Sequence, residues 1–271
     1  MNPVLSRKHF ILLLLVMHWS ILLHFFCLIS QSSSFTKDFA HLNAALQPRI
    51  SEQDQEQSAK DLIHRILPHF QHQFHIEISK NSHDFAHLQN KNGSQVFIQA
   101  SSGIMATWIF YEYLRKFANA HISWDHQQLN LISLPIVQNF TLNPADLIRF
   151  YQNPCLYGYS FAFWSWPDWS KHLDWMALNG INLALASSGQ ELIWSQVYKS
   201  FGISQESLQQ NFFTGKAFLP WNRMGNLKAW SGPFNWEDMK KDVELQHQIL
   251  HRMKSLGMNP AFQHLSFSKI F

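Results

Sequence analysis

The forty residues Leu147–Ala186, LIRFYQNPCLYGYSFAFWSWPDWSKHLDWMALNGINLALA, decide the fold. Leu147–Gln152 reads as a short apolar strand ended by Asn153-Pro154, a turn-initiating pair. A loop runs on to Ser165. Pro167 suits the first turn of a helix, and Trp169, Leu173 and Met176 share one face of it. Asn179-Gly180 closes that helix. Ile181–Ala186 is then an uninterrupted apolar strand, of the kind buried on both faces in a parallel sheet. Strand, helix and strand in this order open an α/β fold.

Downstream, Ser188-Gly189-Gln190-Glu191 begins a helix that runs to about Ser200, with Gly202 after it. A short helix follows at Gln205–Phe213, then a Gly-, Pro- and Trp-rich loop over 214–236. Glu237–Leu256 is a long amphipathic helix ended by Gly257, and Met258–Phe262 would be the next strand. The long loops all follow strands, which in a (β/α)8 TIM-type barrel is the catalytic face. From Leu147 to Phe271 there are 125 residues, against about 250 for such a barrel. The expectation for 143–271 is therefore the first part of a barrel, truncated after about two and a half units. Upstream, 61–142 reads as a small α/β domain. A helix at Asp61–Phe70, stopped by Pro68, leads to strands at Phe74–Ile78 and Ser94–Ala100. A helix at Ile104–Ala118 and strands at His121–Trp124 and Leu129–Val137 complete it. Residues 31–60 are a polar lead-in.

Composition removes several classes. Of 271 residues 46% are hydrophobic and only 14% charged, which is too apolar and charge-poor for a disordered chain. Two cysteines exclude a disulfide scaffold, and a net charge of +3, scattered along the chain, argues against nucleic acid. Arg7 and Lys8 precede the apolar run Phe10–Ile29, and small polar residues follow. Residues 1–30 thus read as a secretory signal peptide, with an uncleaved signal anchor, and so a membrane partner, as the alternative. Two N-x-[ST] acceptors, Asn92 and Asn139, agree with passage through the secretory pathway, lysosomal or secreted. With Cys27 in the signal, Cys155 is the one thiol left, so it is unpaired and either buried or lining a pocket. Nothing in the sequence fixes an oligomeric state.

Eight of the eleven tryptophans fall within 151–236. The stretches Tyr151–Asn182, Leu183–Tyr198 (LALASSGQELIWSQVY) and Phe212–Trp230 (FFTGKAFLPWNRMGNLKAW) resemble the opening of the catalytic domain of α-N-acetylglucosaminidases. This is the lysosomal, heparan-sulfate-degrading glycoside hydrolase family 89. Ser101–Phe117 (SSGIMATWIFYEYLRKF) is similar to the family's N-terminal domain, whereas Pro260–Phe271 departs from the family pattern. The resemblance implies a retaining hydrolase that removes terminal α-linked N-acetylglucosamine from a glycan, without a cofactor. Its pocket residues would map onto Asn153, Cys155 and Tyr159 in the first loop and Trp221 and Met224 in the second. The residue types suit a sugar. A pyranose stacks its apolar face on Trp, its hydroxyls need fixed amides and phenols, and a small thiol can fill the space beside an acetamido methyl.

Retaining glycosidases need two carboxyl groups about 5–5.5 Å apart. Glu191 follows a strand end, but Ser188-x-x-Glu191 also reads as a capping box, and the cap is the preferred reading. Asp168 lies in the first turn of its helix, where it complements the dipole. Asp174, mid-helix, suggests an ion pair. The family's two catalytic glutamates lie further along the barrel than this sequence extends, so the chain is expected to be inactive alone. A non-catalytic secreted glycan-binding or interaction protein is the alternative. His69, His72 and His75 have metal-like spacing. No acidic ligand stands near and Pro68 breaks the helix beneath them, so no metal site is assigned.

Overall fold

The structure, a computed structural model, describes residues 45–91, 93–232 and 234–262. The expected signal segment, Asn92 and the stretch 263–271 lie outside these residues. The chain divides into two units, 1–47 and 48–271, and every element named here belongs to the second.

Helix α1 (Glu52–Ile66) starts well ahead of Asp61, capped by the Ser51 hydroxyl, which accepts the Asp54 N–H at 3.1 Å. Its first two turns are mostly Glu and Gln, good helix formers, with Glu52 and Asp54 facing the positive end of the dipole, and only the stripe Gln55, Ala59, Leu62, Ile63 and Ile66 is buried. A four-stranded sheet follows in the order β1-β3-β2-β6. It comprises β1 (Phe74–Ile78), β2 (Ala86–Lys91), β3 (Gln95–Ala100) and β6 (Phe140–Leu142). β1 and β3 are parallel, with Phe74 opposite Val96, while β2 runs antiparallel to β3 and β6. Alternation turns Phe74, Ile76, Ile78, Leu88, Val96 and Ile98 inward, against α1 and α2 (Gly103–Phe117). β2 escapes sequence reading because AHLQNK offers only Ala86 and Leu88 as apolar positions.

Between α2 and β6 lies a two-stranded ribbon of β4 (His121–Ile122) and β5 (Gln127–Gln128). The strand expected at Leu129–Val137 does not form. Pro135 lacks a donor for a ladder, and Ile132 and Ile136 point to solvent. This irregular segment is instead pinned by Asn90, whose N–H donates to the Val137 carbonyl while its Oδ1 accepts the Val137 N–H.

The second sheet is parallel, β7-β8-β9 in sequence order. Its strands are β7 (Phe150–Tyr151), β8 (Leu183–Leu185) and β9 (Asn259–Ala261). α3 (Trp166–Leu178) connects β7 to β8. The β8–β9 connection holds α4 (Gln190–Ser200), α5 (Gln205–Asn211), α6 (Leu219–Arg223) and α7 (Trp236–Leu256). This is the mixed α/β architecture with an incomplete TIM-type barrel that the sequence suggests.

Helices α1, α2, α3 and α7 pack on one another, and one apolar core runs from α1 to Met258. Two features set their spacing. Gly180 (φ +72°) leaves no room for a side chain, since a Cβ there would lie 2.3 Å from the Trp108 ring. Asp174 accepts Arg65 of α1 through both carboxylate oxygens, at 2.7 and 2.8 Å, and Arg252 of α7 at 2.8 Å. The expected ion pair at Asp174 is thus a staple across three helices. No helix among the described residues is long and apolar enough to cross a membrane.

Candidate active site

The first long loop leaves the carboxyl end of β7; the second is the long connection from β8 to α7, which holds α4, α5 and α6. In the first, Asn153 caps a 3-10 turn, Pro154–Gly158, its Oδ1 accepting the Cys155 N–H at 2.8 Å. Pro154 fixes the backbone for that turn. Cys155 is a free thiol, half-buried. Tyr157 points inward. Its hydroxyl donates to the Leu185 carbonyl at 2.9 Å and accepts the Ser187 N–H at 3.1 Å, which fastens the first loop to the end of β8. Burial pushes this phenol up to about 12, against the opposing effects of the Ser187 N–H and the Arg223 charge.

The second loop closes over the first. Gly158 sits beneath α6, where a Cβ would lie 2.5 Å from the Trp221 ring and 2.7 Å from the Ala217 carbonyl. The exposed Tyr159 ring meets Trp221 edge to face, with centroids 5.5 Å apart. Asn222 is buried and its Nδ2 donates to the Phe212 and Leu227 carbonyls, at 2.9 and 3.0 Å, tying down both flanks of α6. Met224, half-buried, is the C-cap residue of α6. Of the five residues expected to line the pocket, Tyr159 and Trp221 therefore touch. Asn153 and Cys155 are joined within the same turn upstream, and Met224 follows Trp221 by one helical turn.

Glu191 departs from its expected role as a cap. Helix α4 is preceded by Gly189 in the left-handed region (φ +75°) with no side-chain cap, so Ser188-x-x-Glu191 is not a capping box. Glu191 is fully buried, and its Oε1 and Oε2 accept Nε and Nη2 of Arg223 at 2.7 and 3.1 Å. Burial is the largest influence on the Arg223 charge and acts against it, but Glu191, Tyr157 and Asp242 together hold the guanidinium above its ordinary value. Arg223 also lies 5.7 Å from the Tyr157 ring centre. Beside this pair, Lys216 donates to Asp242 of α7 at 2.7 Å, and burial raises the Asp242 carboxyl while Lys216 opposes the rise. A capping box does form at α3. The Ser165 N–H and hydroxyl both donate to Asp168, which holds that carboxyl below its usual range. Tyr157, Arg223, Lys216 and Asp242 were not legible as a cluster, because nothing in their spacing announces that they meet.

Among the described residues no group of three or more His, Cys, Asp or Glu is arranged to hold a metal. His75, from the metal-like triplet, instead contacts Gln95 and stacks on Phe97.

Parallel strands joined by helices, with long aromatic and amide-bearing loops after the strands, are the arrangement with which a TIM-type α/β barrel opens. Two family models match in succession. The alpha-N-acetylglucosaminidase (NAGLU) N-terminal domain covers residues 57–136, and the alpha-N-acetylglucosaminidase (NAGLU) tim-barrel domain covers 149–266. The chain belongs to the alpha-N-acetylglucosaminidase family. It is 45% identical over 175 residues to the human alpha-N-acetylglucosaminidase, an alignment covering 64% of this chain and 23% of that protein. A family 89 glycoside hydrolase from Clostridium perfringens, in complex with 2-acetamido-1,2-dideoxynojirmycin, superposes with a TM-score of 0.75 at 25% identity, over 85% of this chain and 26% of that one. A variant of the Clostridium perfringens enzyme with its substrate GlcNAc-alpha-1,4-galactose gives 0.74 at 26% identity, over 87% and 26%. The chain thus spans about a quarter of the length of these relatives.

Proposed function

We propose that this chain carries the first two sugar-contacting loops of a retaining α-N-acetylglucosaminidase. In this reading Asn153, Cys155, Tyr159, Trp221 and Met224 hold a terminal α-linked N-acetylglucosamine of a glycan such as heparan sulfate. The single observation that carries the reading is the meeting of Tyr159, from the loop after β7, with Trp221, from the connection after the adjacent parallel strand β8. An indole there offers the apolar face of a pyranose a flat partner. The fixed Asn153 amide can bond hydroxyls, and the small Cys155 side chain can pack against the acetamido methyl. Family membership and a relative solved with GlcNAc-alpha-1,4-galactose support the same class of ligand.

The 271 residues capture sugar without cleaving it. Retention requires a nucleophile and an acid/base about 5–5.5 Å apart. The first loop contains no Asp or Glu. The second contributes Glu191, whose two oxygens are engaged by Arg223, and Glu206, exposed on α5. In this account 61–142 supports the barrel segment 143–271. The protein enters the secretory pathway, to be secreted or delivered to lysosomes, and carries glycans at Asn92 and Asn139. Asn139 is exposed, as an acceptor must be.

The test is an assay of the purified chain on an aryl α-N-acetylglucosaminide between about pH 4 and pH 7, with binding followed in parallel. Binding without turnover is expected. Turnover that disappears in Glu191→Gln would make Glu191 catalytic and refute the assignment.

A further inference from the structure

Glu191 and Arg223 are among the most deeply buried charges described, with side chains 0% and 3% exposed. Burying two ions costs desolvation that their attraction often fails to repay, and a well-packed apolar pair commonly serves stability equally well. What an ion pair adds is geometry. The bidentate arrangement fixes the guanidinium in both distance and plane.

The position of this pair gives that geometry a use. Glu191 stands in the first turn of α4, close behind the end of β8. Arg223 is the last residue of α6, two positions after Trp221 and one before Met224. Its guanidinium lies beside the Tyr157 ring, and the Tyr157 hydroxyl is bonded to Leu185 and Ser187 at the same strand end. Arg223 is therefore where the two loops and β8 meet. Trp221, on the other side of the short helix, rests on the Gly158 backbone with no space between. A five-residue helix cannot hold its own orientation by backbone bonds alone.

We propose that Glu191 is a positioning residue. Through Arg223 it sets the angle at which α6 presents Trp221 and Met224 to the sugar, and it takes no part in proton transfer or nucleophilic attack. The proposal rests on the sugar-binding reading of these loops for its functional consequence, but the loop geometry can be measured without sugar.

Two variants of the full chain separate positioning from stability. Arg223→Lys keeps the charge and loses the fork. Glu191→Leu combined with Arg223→Met removes both charges and fills the space. Hydrogen exchange is followed in segments 153–160, 216–228, 52–66 and 103–117, alongside affinity for methyl N-acetyl-α-glucosaminide. The expected result for each variant is exchange about tenfold faster in 216–228 and 153–160, unchanged in the other two segments, with sugar affinity lowered about tenfold. Wild-type exchange in 216–228 in both variants would overturn the proposal, as would wild-type affinity in the double variant. Failure of the unaltered chain to bind the sugar would overturn the sugar-binding reading instead, and the exchange measurements would still decide the positioning role.

Discussion

Replacing His172 by phenylalanine should remove about 2–3 kcal/mol of the fold's loss of stability between about pH 6.5 and pH 4. His172 lies on α3, 3% exposed, and is enclosed by aromatic rings. Trp124 meets it edge-on at 4.8 Å, Phe161 lies at 5.0 Å, Trp164 at 5.1 Å, and Trp175 stacks at 5.5 Å. Burial lowers its pKa from 6.5 to about 4. The folded value lies below the unfolded one, so the unfolded chain takes up the proton first as pH falls. The stability this neutral ring allows is complete above about pH 6.5 and drains away toward pH 4, below which both states are protonated. The gap of about 2.5 pH units is worth about 3 kcal/mol. Phenylalanine keeps the ring shape and cannot titrate, so its cost near neutral pH should be below about 1.5 kcal/mol. Urea unfolding followed by circular dichroism at about pH 7.5 and about pH 4.5 compares the two proteins. The wild-type chain should lose about 2–3 kcal/mol more than the variant over this interval. Equal losses would refute the argument and place the acid-sensitive group elsewhere.

Asp174→Asn leaves two guanidinium groups without their shared carboxylate and should lower stability by about 3 kcal/mol, the low end for breaking a buried pair because Arg65 is partly exposed. Thermal unfolding checks it, and an unchanged midpoint would show that the three-helix staple contributes nothing. Gly180→Ala forces a methyl against the Trp108 ring at a backbone angle unfavourable to alanine, which should cost about 2–3 kcal/mol. The same melt, with near-ultraviolet dichroism of the tryptophans, would reveal either the strain or its absence.

The parallel strands, the α3 ending at Asn179-Gly180 and the long α7 were legible because each has a local cause: an apolar run, a left-handed glycine, a 3.6-residue stripe. The motif-rich loops were legible through resemblance. The residues missed share one property, that their partners are far away in sequence. Glu191 illustrates it. Its spacing from Ser188 imitates a capping box, and only the fold reveals that Gly189 takes a left-handed turn and sends the carboxylate to Arg223, 32 residues on. The strand expected at Leu129–Val137 failed for a related reason. Its apolar content was visible, but whether that content met a sheet edge depended on β2, whose own pattern is too polar to announce a strand. The mid-helix position of Asp174 suggests an ion pair, yet its partners, on α1 and α7, emerge only from the packing.

The central claim, that the loops after β7 and β8 hold a terminal N-acetylglucosamine, is tested most directly by saturation-transfer NMR. The experiment titrates methyl N-acetyl-α-glucosaminide into the wild-type chain and into Trp221→Ala. Transfer to the ring and acetamido methyl protons is expected in the wild type, with affinity reduced by about 1–3 kcal/mol in the variant, the worth of an aromatic face lost from the contact. Absence of transfer in the wild type, or equal affinity in the two proteins, would contradict it.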